Sequence, residues 1–153
     1  MTTMVDQTSI RKVVLGERVV GKLQTIAGAA THQVFTVAGG QVLITAMWGV
    51  CTVEMAGANT INVQTDPTTG DTVVIATAAD LGTTNTAAGT VIAGQAATAA
   101  APALVKGSGQ PLSFVATTGE IESVATEATA DGAIQWYCTY VALTTGATVT
   151  ASA

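Results

Sequence analysis

Hydrophobic and polar residues alternate over short stretches of this chain, and glycine, asparagine, aspartate and proline separate those stretches. At 60–65, Ile61 and Val63 alternate with Asn62 and Gln64, as in a strand with one buried and one solvated face. The pattern predicts strands at 10–15, 18–26, 33–37, 41–55, 60–65, 72–78, 112–116, 120–126, 133–143 and 147–151. Regularly spaced short strands indicate an all-β fold, either an antiparallel β-barrel or a jelly-roll-like sandwich.

Two of these strands, 41–55 and 133–143, are apolar on both faces. A strand with one wet face alternates, so we expect these two to be central strands, and neighbours, buried in the domain or against another subunit. Together they hold both tryptophans, both tyrosines and both cysteines of the chain. The residues that we expect in the core are Trp48, Cys51, Trp136, Cys138 and Tyr140.

The composition narrows the class of protein. Only 10% of the residues are charged and 48% are hydrophobic, while Ala (28), Thr (28), Val (19) and Gly (16) make up 91 of 153. This hydrophobic fraction excludes an intrinsically disordered chain, and a net charge of −5 argues against a nucleic-acid partner. An ordinary surface is roughly a quarter to a third charged. We therefore expect part of the surface to be covered by other protein.

Charge is divided unevenly along the chain. Residues 1–22 carry four basic and two acidic residues, a net charge of +2, and residues 23–153 carry one basic and eight acidic residues, a net charge of −7. We divide the chain into an extended N-terminal arm or first hairpin at 1–22 and a single β domain at 23–153. The arm is either a hairpin with solvated charges or a segment that docks on an acidic neighbour. Its basic residues are Arg11, Lys12, Arg18 and Lys22.

The segment 78–109 has few residues that could anchor it. Apart from Asp80, Leu81, Val91 and Ile92, it consists almost entirely of Thr, Ala, Gly and Asn. Long connections without structure of their own are uncommon in compact domains. We expect a partner to hold this segment.

The sequence offers little for catalysis, and we expect neither an enzyme nor a cofactor or metal site. His32 is the only histidine, so no metal site built on a histidine pair is available. Cys51 and Cys138 are far apart and read as buried small hydrophobes, although a disulfide is open if their strands are adjacent. A ligand-binding barrel would need a polar pocket around His32, and no sequence feature suggests one.

Two acidic features have ordinary structural explanations. The loop 66–71 (DPTTGD) resembles a weak calcium loop but lacks a dense carboxylate pattern, so a turn begun by Asp66 and Pro67 is the better interpretation. Glu120 and Glu122 share one strand face. A glycosidase built on that pair would need aromatic platforms, and only 4% of the residues are aromatic.

Three segments resemble small proteins encoded beside the major capsid protein of tailed bacteriophages. They are 33–45 (QVFTVAGGQVLIT), 57–64 (GANTINVQ) and 131–143 (DGAIQWYCTYVAL), followed by a glycine turn and a short Val/Thr/Ala tail. Proteins of this kind look like capsid decoration, or cement, proteins. The resemblance covers roughly residues 23–153, and 78–109 lies outside what it matches.

The resemblance implies a structural virion protein that sits on the outer surface of the capsid after synthesis in the host cytoplasm. The partners that it implies are the major capsid protein and further copies of the chain, as a homotrimer, with no nucleic acid and no membrane. We take the basic residues of the arm as candidate capsid contacts. The alternatives are another phage structural subunit, such as a tail tube or head fibre, or a bacterial surface adhesin module. We find no targeting segment and no transmembrane span in the sequence.

Overall fold

The computed structural model describes residues 10, 12, 14–95, 102–107, 109–126 and 132–153. Over these residues the chain forms eleven strands and one short helical turn at its N-terminal end. The strands are β1 (Glu17–Thr25), β2 (Ala30–Ala38), β3 (Val42–Val53), β4 (Thr60–Pro67), β5 (Val73–Asp80), β6 (Val91–Gln95), β7 (Ala103–Lys106), β8 (Leu112–Ala116), β9 (Gly119–Ala125), β10 (Ala133–Ala142) and β11 (Thr148–Ala151).

The strands form one sheet that curls into a nearly closed barrel, so the expected all-β fold is confirmed. The strand order is β1-β10-β3-β6-β7-β5-β4-β9-β2-β11, and β8 pairs with the first half of β3. The ladders are antiparallel except for the short parallel pairing of β5 with β7 at Thr77 and Ala103. The two doubly apolar strands of the sequence, β3 and β10, are direct neighbours along almost their whole length, as expected.

The barrel closes where β1 lies against β2 and β11, a junction that we call the seam. Packing, and not a hydrogen-bonded strand ladder, holds the seam together. Gly21 lies so close to β2 that a Cβ atom there would come within 2.7 Å of Val34 Cγ1 and 2.9 Å of Phe35 Cε1. The Nζ of Lys22 on β1 donates to the backbone oxygen of Ala153, which follows β11. The two ends of the sheet are therefore in direct contact.

A β-bulge in β3 explains why both of its parities are apolar. Ile44 pairs with Tyr140 and Ala46 with Thr139, so Thr45 is an extra residue in the ladder with β10. Val42 and Ile44 point inward before the bulge, and Met47 points inward after it. The strand has a single buried face, and the bulge moves that face from one parity to the other.

The middle of the chain has more structure than the sequence predicts. Strands β6 and β7 lie within 78–109, and β6 pairs with both β3 and β7. Leu81, Ile92 and Leu104 are buried there, so the domain itself supplies anchors for this segment. Residues 96–101 and 108 lie outside the described residues.

The first predicted strand, at 10–15, is wrong: its described residues 10, 12, 14 and 15 are helical. Gly16 N donates to Lys12 O at 3.1 Å, and the φ of Gly16 is 81°, which is the left-handed conformation that commonly ends a helix. β1 then begins at Glu17 and runs past residue 22, so the latter part of the predicted arm belongs to the barrel. Residues 1–9, 11 and 13 lie outside the described residues.

Candidate interaction surface

The outer sides of β1, β10 and β3 carry a largely apolar surface, which is interrupted by Gln135 and Thr139 of β10. The strand register aligns Val20 with Tyr137, and Tyr137 with Trp48. Cross-strand neighbours of this kind lie about 4.5–5.5 Å apart at their Cβ atoms, so the three side chains form one row. We call this surface the aromatic face and define it by Arg18, Val20, Leu23, Leu43, Trp48, Val50, Val91, Val115 and Tyr137.

The centre of the aromatic face is a stack of three side chains. The rings of Trp48 and Tyr137 lie 5.6 Å apart between centroids, at an interplanar angle of 17°. The guanidinium of Arg18 lies 5.0 Å from the centroid of the Tyr137 ring, within reach of a cation–π contact. The stack holds its members in place before any partner arrives, which reduces the entropy lost on binding.

Aliphatic side chains surround this stack and remain exposed. Val20 is 47%, Leu23 49% and Val115 53% exposed. Single exposed aliphatic residues are normal, but a contiguous apolar patch marks a surface that binds another molecule. Arg18 is the one charged residue among those that define the face, so little desolvation of charge opposes its burial.

The outer side of β9 has the opposite character. Glu120 lies beside Asp66 of β4 and Thr36 of β2, and it accepts hydrogen bonds from the hydroxyls of Thr36 (3.0 Å) and Ser152 (2.8 Å). Glu122 is only 6% exposed and accepts a hydrogen bond from Gln64 Nε2 at 2.8 Å. The molecule thus has an apolar side and an acidic, hydrogen-bonded side.

The predicted basic cluster is separated in the structure. Lys12 forms an exposed ion pair with Glu17 at 3.5 Å, Arg18 lies on the aromatic face, and Lys22 bonds to Ala153 at the seam. Arg11 lies outside the described residues. Of the three candidates that the structure describes, Arg18 is the one that lies in the aromatic face.

Four of the five expected core residues are buried: Cys51, Trp136, Cys138 and Tyr140. Trp136 Nε1 donates to Gln24 Oε1 at 2.8 Å in the interior. The expectation for Trp48 is wrong, because the bulge in β3 turns this residue outward, where it is half-buried. The apolar residues on both parities of β3 thus have two causes, the bulge and the aromatic face.

The two cysteines form no disulfide. Cys138 pairs with Met47, and Cys51 lies four residues further along β3, which is roughly 13 Å at strand spacing and beyond the reach of a disulfide. Burial raises the pKa of the Cys138 thiol to about 12. The Cys51 thiol donates to the carbonyl oxygen of Val53 at 3.0 Å.

A polar cavity of about 380 Å³ opens at the seam beside His32. Burial, with a smaller contribution from the charge of Lys22, lowers the pKa of His32 below its ordinary value of 6.5. No pattern in the sequence predicts this cavity, because its lining comes from three separate strands. We call it the seam pocket; its lining residues are Lys22, Leu23, Gln24, Thr31, His32, Gln33 and Glu122.

Within the described ranges, no cluster of three or more His, Cys, Asp or Glu side chains is arranged to hold a metal ion. The same part of the chain contains no helix that is long and apolar enough to cross a membrane. Comparison of the chain with protein-family models, curated proteins and solved structures finds no match.

Proposed function

We propose that this chain is a structural virion protein, a capsid decoration protein that binds the outside of the major capsid shell and stabilises it, as a homotrimer. The observation that carries the proposal is the aromatic face: a preformed stack of Arg18, Tyr137 and Trp48 surrounded by exposed aliphatic side chains. The resemblance of 33–45, 57–64 and 131–143 to proteins encoded beside major capsid proteins supplies the identity of the partner.

The chemistry of the stack supports a protein partner. Tryptophan, tyrosine and arginine are the residues that dominate binding free energy at protein interfaces when they lie at the centre of an apolar patch. Trp48, Tyr137 and Arg18 occupy this position, and Val20 and Leu23 would keep water from them once a partner covers the face.

The distribution of charge supports a fixed orientation. Glu120 lies on β9, in the half of the sheet that contains neither β3 nor β10, and its hydrogen bonds come from the chain itself. In the proposed complex this acidic side faces solvent and the aromatic face is covered. A trimer that contacts several capsid subunits at once gains affinity from multivalency, so a modest affinity at each contact is sufficient.

The experiment measures co-sedimentation of the chain with purified heads of tailed bacteriophages. The double variant Trp48→Ser with Tyr137→Ser removes the stack and leaves the core unchanged, because both side chains lie outside it. We expect co-sedimentation with capsids to weaken by at least about a hundredfold, since interface hot spots cost about 2 kcal/mol or more each.

The matched control is Val73→Ser on β5, which changes a residue that is 52% exposed and does not belong to the aromatic face. It should sediment with capsids as the unchanged chain does. Unchanged sedimentation of the double variant, or equal loss in the control, would contradict the proposal. Deletion of 1–22 is a poor test because it removes six of the nine residues of β1.

The native mass of the free protein separates the alternatives. A trimer fits decoration, and a larger ring fits a tail-tube subunit. A monomer that ignores capsids would leave the head-fibre and adhesin alternatives and overturn the proposal.

A further inference from the structure

The seam pocket contains buried polar groups that the protein leaves without partners. Gln24 is 2% exposed, and its Oε1 accepts the bond from Trp136, but its Nε2 has no hydrogen-bond partner. His32 Nε2 is buried in the same way. An unsatisfied buried donor or acceptor costs about 1–3 kcal/mol, so a ligand that bonds to these groups gains that free energy.

The charges around the pocket balance. Lys22 is positive and Glu122 is negative, and His32 remains neutral near pH 7 because its pKa is lowered. No excess charge attracts a simple anion or cation. Leu23 is the only aliphatic lining residue apart from the methyl group of Thr31, so the pocket does not favour an apolar ligand either.

The polar groups suit a ligand whose neighbouring atoms both donate and accept hydrogen bonds. The carboxylate of Glu122 accepts, the ammonium of Lys22 donates, and the amide of Gln33 does both. Hydroxyl groups on adjacent ring carbons meet all these requirements at once. The volume of about 380 Å³ lies at the lower end of the range for small-molecule sites, which suits one or two sugar rings.

We propose that the seam pocket is a saccharide-binding site in which Glu122, Gln24, Gln33, His32 and Lys22 bond to the ring hydroxyls of a neutral sugar. The site lies at the junction of β1 and β2, and Trp48 and Tyr137 take no part in its lining. Leu23 belongs both to the pocket lining and to the aromatic face, but none of the polar groups of the pocket belongs to the stack. The two proposals therefore rest on different side chains, and either can fail without the other.

The test is nuclear magnetic resonance of the whole chain with sugars at millimolar concentration. Glucose, galactose, mannose and N-acetylglucosamine are the probes, with glycine and inorganic phosphate as zwitterionic and anionic comparisons. His32 is the only histidine, so its imidazole signals report on the pocket without ambiguity. We expect at least one sugar to receive saturation transfer from the protein and to shift these signals, while glycine and phosphate do not.

The decisive variant is Glu122→Gln, which keeps the shape and removes the charge. We expect it to weaken sugar binding by about tenfold or more, the size of a lost hydrogen bond to a charged group. The matched control is Glu120→Gln, two residues away on the same strand face and outside the pocket lining; it should bind within about twofold of the unchanged chain.

A second variant, Gln33→Ala, changes an exposed lining residue and keeps the test informative if Glu122→Gln unfolds. It too should weaken binding. The proposal is overturned if no sugar shifts the His32 signals, if only glycine or phosphate does, or if the pocket variants bind sugar as well as Glu120→Gln does.

Discussion

At the scale of single residues, few of the side chains in the described core carry a polar group. Trp136, the largest side chain of the core, is fully buried because its indole N–H has a partner in Gln24. Cys51 and Cys138 occupy the same interior as small apolar side chains. Their identity as core residues was predictable, because cysteine is among the most buried residue types.

The Cys138 thiol should be inert in the folded protein. Its pKa of about 12 leaves almost no thiolate at neutral pH, and its side chain is not accessible. We expect mass spectrometry after iodoacetamide treatment to show no adduct at Cys138 under native conditions and full modification in denaturant. Thr148→Cys, at an exposed position of β11, is the control and should react in the native state. Rapid native labelling of Cys138 would contradict its burial.

At the scale of elements, the bulge in β3 decides which side chains enter the core. A regular strand would place 44, 46 and 48 on one face and 47 on the other. The bulge at Thr45 instead puts Ile44 and Met47 inside and Trp48 outside. Sequence periodicity predicted the strand but not this switch, because the two parities are equally apolar there.

Substitutions on either side of the bulge test this arrangement. Ile44→Ala and Met47→Ala should each lower the free energy of unfolding by about 2–5 kcal/mol, because each leaves a cavity in the core. Ala46→Ser, between them and only half-buried, should change it by no more than about 0.5 kcal/mol. Urea denaturation measures all three. A tolerant Met47 together with a sensitive Ala46 would indicate a regular strand.

At the scale of the whole molecule, the barrel is closed by side-chain packing at a seam that contains His32. Because burial lowers the pKa of His32, the unfolded chain takes up a proton more readily than the folded one. The stability is therefore fully present when the pH is above 6.5, the pKa of His32 in the unfolded chain. It is lost as the pH falls from 6.5 toward the lower pKa of His32 in the folded protein.

The unfolding midpoint in urea should accordingly decrease between about pH 7.5 and pH 5.5, above the range where most carboxylates titrate. His32→Gln removes the titrating group and should give a flatter dependence over this range. The comparison of the two slopes isolates the contribution of this imidazole from that of other groups. Equal slopes would contradict the assignment.

Strands β3 and β10, which have the strongest apolar pattern in the sequence, also show what such a pattern cannot predict. The apolar residues on both parities correctly predicted that β3 and β10 are neighbours. The prediction that other protein covers their outer surface rests on the aromatic face. Trp48 was assigned to the core because periodicity has no information about a bulge. The helical turn before Gly16 was missed because its β-branched residues favour a strand locally.

The sequence by itself determined the all-β class, most strand positions and the scarcity of reactive groups, because these depend on local propensity and composition. The tertiary structure alone decided which side of each strand faces outward, where the basic residues lie relative to one another, and where the seam pocket forms. These features depend on register and on contacts between strands far apart in the chain, such as β1 with β2 and β9. Such contacts leave no periodic trace in any single segment.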